Sequence, residues 1–156
     1  MDSTKHFLDE HLEEIKKQFL EDVDRLVGEW IIHDDILLGV DFDDSISPYK
    51  HCSKEQCDDL INIILRAQKV GATIIIHTAG HINNFGWIRE YCANLGIKVA
   101  SINVNPKEMH FGNWGKPYAN WFLDDRAGLV YAKRVLERAL EIVEHYKANR
   151  EKVVNG

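Results

Sequence analysis

Two short uncharged runs constrain this chain more than any other feature. Residues 36–40 read Ile-Leu-Leu-Gly-Val and residues 72–76 read Ala-Thr-Ile-Ile-Ile. Each is strand-length and continuous rather than alternating, the pattern of a strand buried on both faces of a sheet. Between them Ser53-Lys54-Glu55-Gln56 fits a capping box. It opens a helical repeat of Cys57, Leu60, Ile61, Ile64, Leu65 and Ala67 that stops at Gly71. A helix joining two such strands implies a right-handed crossover and a parallel sheet.

The rest of the chain continues the alternation. Residues 82–95 carry a helical pattern (Ile88, Tyr91, Cys92, Leu95) that Gly96 ends, and 97–104 read as a third strand. A polar and aromatic loop, 105–119, leads to a short fourth strand at 121–123. A final helix is expected over 127–150, its apolar side built from Leu129, Val130, Val135, Leu136, Leu140, Ile142 and Val143. Ahead of the alternation, residues 4–31 form an amphipathic helix, with Leu8, Leu12, Ile15, Phe19, Val23, Leu26 and Trp30 at spacings of three and four. The expectation is a single α/β domain over residues 1–156: this N-terminal helix plus a catalytic core over 36–150. The core is a Rossmann-like three-layer sandwich with parallel strand order 4-1-2-3.

Composition narrows the function. An apolar fraction of 45% and a charged fraction of 28% fit a globular domain. No apolar run approaches the roughly 20 residues that cross a bilayer, and the acidic start MDSTKHFLDEHLEE lacks the apolar segment of a signal peptide. No membrane association is expected. With three cysteines, an odd number, the reading is reduced thiols in a cytoplasmic protein. Nineteen basic against 25 acidic residues, a net charge of −6, argues against strong nucleic-acid binding. It leaves room for phosphate chemistry carried out with a divalent cation.

Parallel sheets place their chemistry at the carboxyl ends of the strands, and here those ends are polar. Asp41-Phe42-Asp43-Asp44-Ser45 follows the first strand, His77-Thr78-Ala79-Gly80 the second, and Asp124-Asp125-Arg126 the fourth; Lys116 lies late in the preceding loop. Five acids and one lysine on one rim would repel and shift one another's pKa. A bound cation relieves this, and all-oxygen ligation points to Mg²⁺.

Four segments together, Val40-Asp41-Phe42-Asp43-Asp44-Ser45, Ile74-Ile75-Ile76-His77-Thr78, Lys116, and Trp121-Phe122-Leu123-Asp124-Asp125, resemble in order the four motifs of the haloacid dehalogenase superfamily of phosphohydrolases. The likeness covers residues 36 to about 145. The local wording of 101–106 and 116–127 is similar to its small phage and bacterial members. The resemblance implies a Mg²⁺-dependent phosphomonoesterase. Asp41 is then the nucleophile, forming an aspartyl-phosphate, and Asp43 the general acid and base. Thr78 binds a phosphoryl oxygen and Lys116 neutralises charge. Asp41, Asp43 (through its backbone carbonyl), Asp124 and Asp125 serve the metal. Asp44, Ser45, Ala79, Gly80, His110 and Trp114 are expected to contact substrate. In two places the motif departs from the family: Asp44 replaces the usual Gly, and Ser45 the usual Thr. Neither family insertion point has room for a cap domain, so a capless, open site is implied.

The substrate expected is a phosphorylated small molecule or another phosphoester. A 5′(3′)-nucleotidase is the narrower alternative, motivated by the aromatic loop 108–114. A protein that keeps phosphate or metal affinity but has lost turnover is the rival from another class, motivated by Asp44. His77 and His81 do not form a helical zinc pair, because the first ends a strand, and His51, Cys52 and Cys57 match no standard zinc spacing. The N-terminal helix either packs on its own domain or contacts a second copy.

Overall fold

The computed structural model describes residues 3–106 and 117–154. His110, Trp114 and Lys116 lie outside the described residues. Helices α1 (Ser3–Glu10) and α2 (Leu12–His33) precede strand β1 (Ile36–Asp41). Then follow α3 (Lys54–Lys69), β2 (Ala72–His77), a 3₁₀ turn (Ile82–Asn84), α4 (Phe85–Asn94), β3 (Val99–Ile102), β4 (Trp121–Leu123) and α5 (Leu129–Val154).

The four strands form one sheet in the order β3-β2-β1-β4, which read from its other edge is 4-1-2-3. All pairings are parallel. β1 runs beside β2 from Ile36↔Ala72 to Asp41↔His77, and beside β4 from Leu38↔Trp121 to Val40↔Leu123. This register sets the ends of the three strands side by side at one edge.

The capping box at α3 forms as its residue types require. The Ser53 hydroxyl accepts the Gln56 N–H at 3.2 Å, and the Gln56 side chain accepts the Ser53 N–H at 2.9 Å. The helix ends where Gly71 turns at φ +101°; a Cβ there would lie 2.5 Å from the Asp34 carbonyl oxygen. Gly39 answers a different need. A Cβ on it would meet the Phe122 ring at 2.8 Å and the His77 ring at 3.0 Å, so two rings cross the sheet over a residue without a side chain.

Strand side chains alternate between faces, and the two faces differ. Ile36, Leu38, Val40, Ile74, Ile76 and Leu123 join residues of α2, α3, α4 and α5 in one core. Leu37, Gly39, Ile75, His77 and Phe122 occupy the opposite face, and no described helix contributes to it. Among the described residues the helices form a layer on one face of the four-stranded parallel sheet, an α/β arrangement compatible with a Rossmann-like fold.

The N-terminal segment also differs from expectation. Two helices replace one, meeting at His11, although His11 N–H still bonds Phe7 O at 3.3 Å and Ile15 N–H bonds His11 O at 3.0 Å. Only Val23, Leu26 and Trp30 of the expected apolar stripe are buried; Leu8, Leu12 and Ile15 face solvent. No described helix is long and apolar enough to cross a membrane.

Candidate metal and phosphate site

The carboxyl edge of the sheet opens into a cavity of about 660 Å³ lined by Asp41, Asp43, Thr78, Ala79, Asp124 and Asp125, among others. Asp41 ends β1, and the pair Asp124 and Asp125 follows β4 at once. Because β1 and β4 are neighbours, residues more than eighty positions apart meet. One carboxylate oxygen from each of Asp41, Asp124 and Asp125 falls in a cluster no wider than 4.8 Å.

This crowding sets the electrostatics. Burial, then the charges of Asp124 and Asp125, push the Asp41 carboxyl up to about 7. The Ser45 hydroxyl donates to Asp41 Oδ2 at 3.3 Å and opposes the rise. No Lys or Arg forms an ion pair with any of the three acids among the described residues. Three convergent oxygen donors held against their own repulsion fit a hard divalent cation of the Mg²⁺ type. Asp124 is partly committed elsewhere. Its Oδ1 accepts the Arg126 N–H at 2.9 Å and its carbonyl accepts Ala127 N–H at 3.0 Å, so it also fastens the turn ahead of α5.

Asp43 is exposed on the cavity wall, outside the three-carboxylate cluster. Its backbone bridges to Ser47, which tightens the turn after β1 and leaves the side chain free of the sheet.

Thr78 is fixed by its neighbours. Its N–H donates to Asn103 Oδ1 at 2.9 Å, its carbonyl accepts from Asn103 Nδ2 at 2.7 Å, and its hydroxyl oxygen accepts the Gly80 N–H at 3.0 Å. With the oxygen already accepting, the hydroxyl proton is the part left to offer a ligand. Ala79 lines the cavity, whereas the Gly80 N–H is spent on Thr78.

Two residues expected to contact substrate have other duties. Ser45 is fully buried and its hydroxyl serves Asp41. Asp44 is buried in the left-handed region at φ +58°, a conformation Asp tolerates better than most residues. Its Oδ1 accepts the N–H groups of Tyr49, Lys50, His51 and Cys52 at 2.8–3.0 Å. Burial opposes the charge, yet these four bonds bring the Asp44 carboxyl down to about 2. Asp44 thus anchors the loop that walls the cavity.

Sequence reasoning missed Asn103, Tyr49, Lys50 and Arg126, all on the cavity wall. An Asn just past a strand end, able to hold a left-handed turn, is a recognisable signal for the first; it sits at φ +57°. The others carry no periodicity or motif. His77 reaches the cavity with its Nε2 buried and unpartnered among the described residues, and burial holds its imidazole below the usual range against the pull of Asp124. The sulfurs of Cys52 and Cys57 lie 3.2 Å apart as free thiols, away from the acid cluster. Comparison with protein-family models, with curated proteins and with solved structures found no match.

Proposed function

We propose that this protein is a Mg²⁺-dependent phosphomonoesterase that works through an aspartyl-phosphate on Asp41. What supports the reading is the meeting of the Asp41, Asp124 and Asp125 carboxylates within 4.8 Å, in a cavity that also presents Asp43 and Thr78. The cation would be held by these three acids, with the Asp43 backbone carbonyl as a further donor, and would supply charge stabilisation to the transferring phosphoryl group.

The residues divide the work. An Asp41 oxygen bonds to phosphorus as the bond from phosphorus to the leaving oxygen breaks. Asp43, exposed on the cavity wall, gives its proton to that leaving oxygen. In the second half the Asp43 carboxylate takes a proton from water, whose oxygen bonds phosphorus as the Asp41 bond breaks. The Ser45 hydroxyl holds the Asp41 carboxylate in one orientation throughout. Thr78 donates its hydroxyl proton to a phosphoryl oxygen. Lys116 is assigned the remaining charge neutralisation from the motif alone.

A nucleotide is the narrower substrate reading. Tyr49 is 66% exposed on the cavity wall with Lys50 Nζ 5.0 Å over its ring, a surface suited to a base and its sugar-phosphate. The rival reading, a binding protein without turnover, drew on the extra charge of Asp44, and that charge is solvated by four N–H groups of its own loop.

The test is release of p-nitrophenol from p-nitrophenyl phosphate with Mg²⁺, with chelator, and with Asp41→Asn. Turnover that needs Mg²⁺ and falls at least about a thousandfold in Asp41→Asn supports the proposal. Turnover that survives that substitution, or no turnover on a broad phosphoester panel, overturns it.

A further inference from the structure

Among the described residues the N-terminal helices leave an apolar stripe without a partner. Leu8, Leu12 and Ile15 are 50%, 44% and 41% exposed, although they continue the line of Val23, Leu26 and Trp30, which is buried. The crossover point is legible. Phe19 meets the Tyr131 ring edge-on at 6.0 Å, and the Tyr131 hydroxyl donates to Asp22 at 2.9 Å. Tyr131 lies in the first turn of α5, just past Asp124 and Asp125. Residues 19–22 are therefore level with the carboxyl edge of the sheet. α2 runs opposite to β1, so residues 3–18 project beyond that edge, on the side where the cavity opens. At the base of this arm Ile15, Lys16, Phe19, Leu20 and Tyr131 line an apolar groove of about 360 Å³.

We propose that the arm pairs antiparallel with the arm of a second copy. The sequence of the arm is self-complementary in that one direction. Antiparallel alignment sets Leu8 against the other copy's Phe19 and Leu12 against its Ile15, and the same two layers recur by symmetry. Leu8 and Leu12 of each copy then fill the groove of the other. The flanking charges agree: Asp9 meets the other copy's Lys16, twice, at the interhelical positions beside the stripe. Among the described residues Lys16 pairs with Glu13 alone, at 2.8 Å on an exposed surface, which leaves it little to lose. In a parallel pair Asp9 would face Thr4, and His11 would face Lys16, so the attraction is absent. Pairing in this register separates the two carboxyl edges by eleven helical residues, about 16 Å, and turns the cavities toward each other. It is independent of the phosphatase reading.

Sedimentation velocity of the full chain over a concentration series reads the pairing, and three charge variants read its direction. Wild type is expected to pass from monomer to dimer as concentration rises. Asp9→Lys alone and Lys16→Asp alone each weaken self-association about tenfold, because each sets like charges together twice. The double variant recovers it, and the two single variants mixed together form a heterodimer more tightly than either forms a homodimer. Leu12→Glu gives a monomer whose circular dichroism and thermal melt match wild type. A wild-type chain that stays monomeric throughout overturns the proposal, as does a dimer indifferent to Leu12→Glu. A dimer that Leu12→Glu breaks but whose charge variants neither weaken nor complement overturns the antiparallel register.

Discussion

The Asn103 side chain brackets the peptide of Thr78, accepting its N–H at 2.9 Å and donating to its carbonyl at 2.7 Å. The Asn103 N–H in turn bonds the carbonyl of Ile76 at 2.9 Å. An amide past the end of β3 thereby continues the ladder of β2 for one more residue and fixes the direction of the Thr78 hydroxyl. Asn103→Gly removes the bracket while tolerating φ +57°. It is expected to lower kcat/KM about ten- to a hundredfold, through misplacement of the hydroxyl proposed to bind phosphate. The melting temperature should change little. Steady-state kinetics beside a thermal melt check this. A loss in stability with unchanged kcat/KM would assign Asn103 to the fold alone.

The raised Asp41 carboxyl ties metal binding to pH. Its pKa of about 7 lies above the ordinary carboxylate value, so the metal-free fold holds a proton that the unfolded chain has lost. The metal-free protein therefore loses stability as pH climbs from about 4 to about 7. If Mg²⁺ binds as proposed it must displace that proton, so its affinity is expected to fall about tenfold for each pH unit below 7. Calorimetric titration with Mg²⁺ at pH 5.5, 6.5 and 7.5 is the check, with thermal melts expected to rise more on adding Mg²⁺ at pH 7.5 than at pH 5.5. An affinity flat across that range would place the metal elsewhere.

Asp44 works in the opposite sense. Its carboxyl sits at about 2 in the folded state, below its ordinary value, so it stabilises the fold above about pH 4 and this is lost as pH falls toward 2. Asp44→Asn keeps a residue suited to the left-handed turn but removes the charge that four N–H groups converge on. The variant should melt below wild type at pH 7, with the gap closing toward pH 2. Parallel melts of the two proteins over this pH range decide it. If the gap is independent of pH, the charge contributes nothing.

At Gly39 the prediction is steric. A side chain there meets the rings of Phe122 and His77 at 2.8–3.0 Å. Phe122 is partly exposed and can swing aside, whereas His77 is more enclosed. Gly39→Val is expected to destabilise the fold by about 1–3 kcal/mol, the usual range for overpacking. Urea titration measures it. Gly39→Val combined with Phe122→Ala should recover part of the loss, since the closer of the two rings is then gone.

The sequence by itself determined the elements, because they rest on local chemistry. The box at Ser53 and Gln56 started α3 where the hydroxyl and amide can reciprocate. The continuous apolar runs became β1 and β2, and the parallel pairing of β1 with β2 and β4 carried Asp41, Thr78 and Asp124 to one edge. Tertiary structure decided what the polar residues do there. Asp44 and Ser45 read as ligand contacts, since a string of letters cannot show which way a carboxylate turns; four N–H groups and the Asp41 carboxylate claimed them instead. Asn103 had no motif because its partner, Thr78, is twenty-five residues away and meets it only when β2 and β3 pair. The stripe from Leu8 to Trp30 looked uniform in sequence, but its burial stops beside Tyr131, a boundary set by where the distant helix α5 begins.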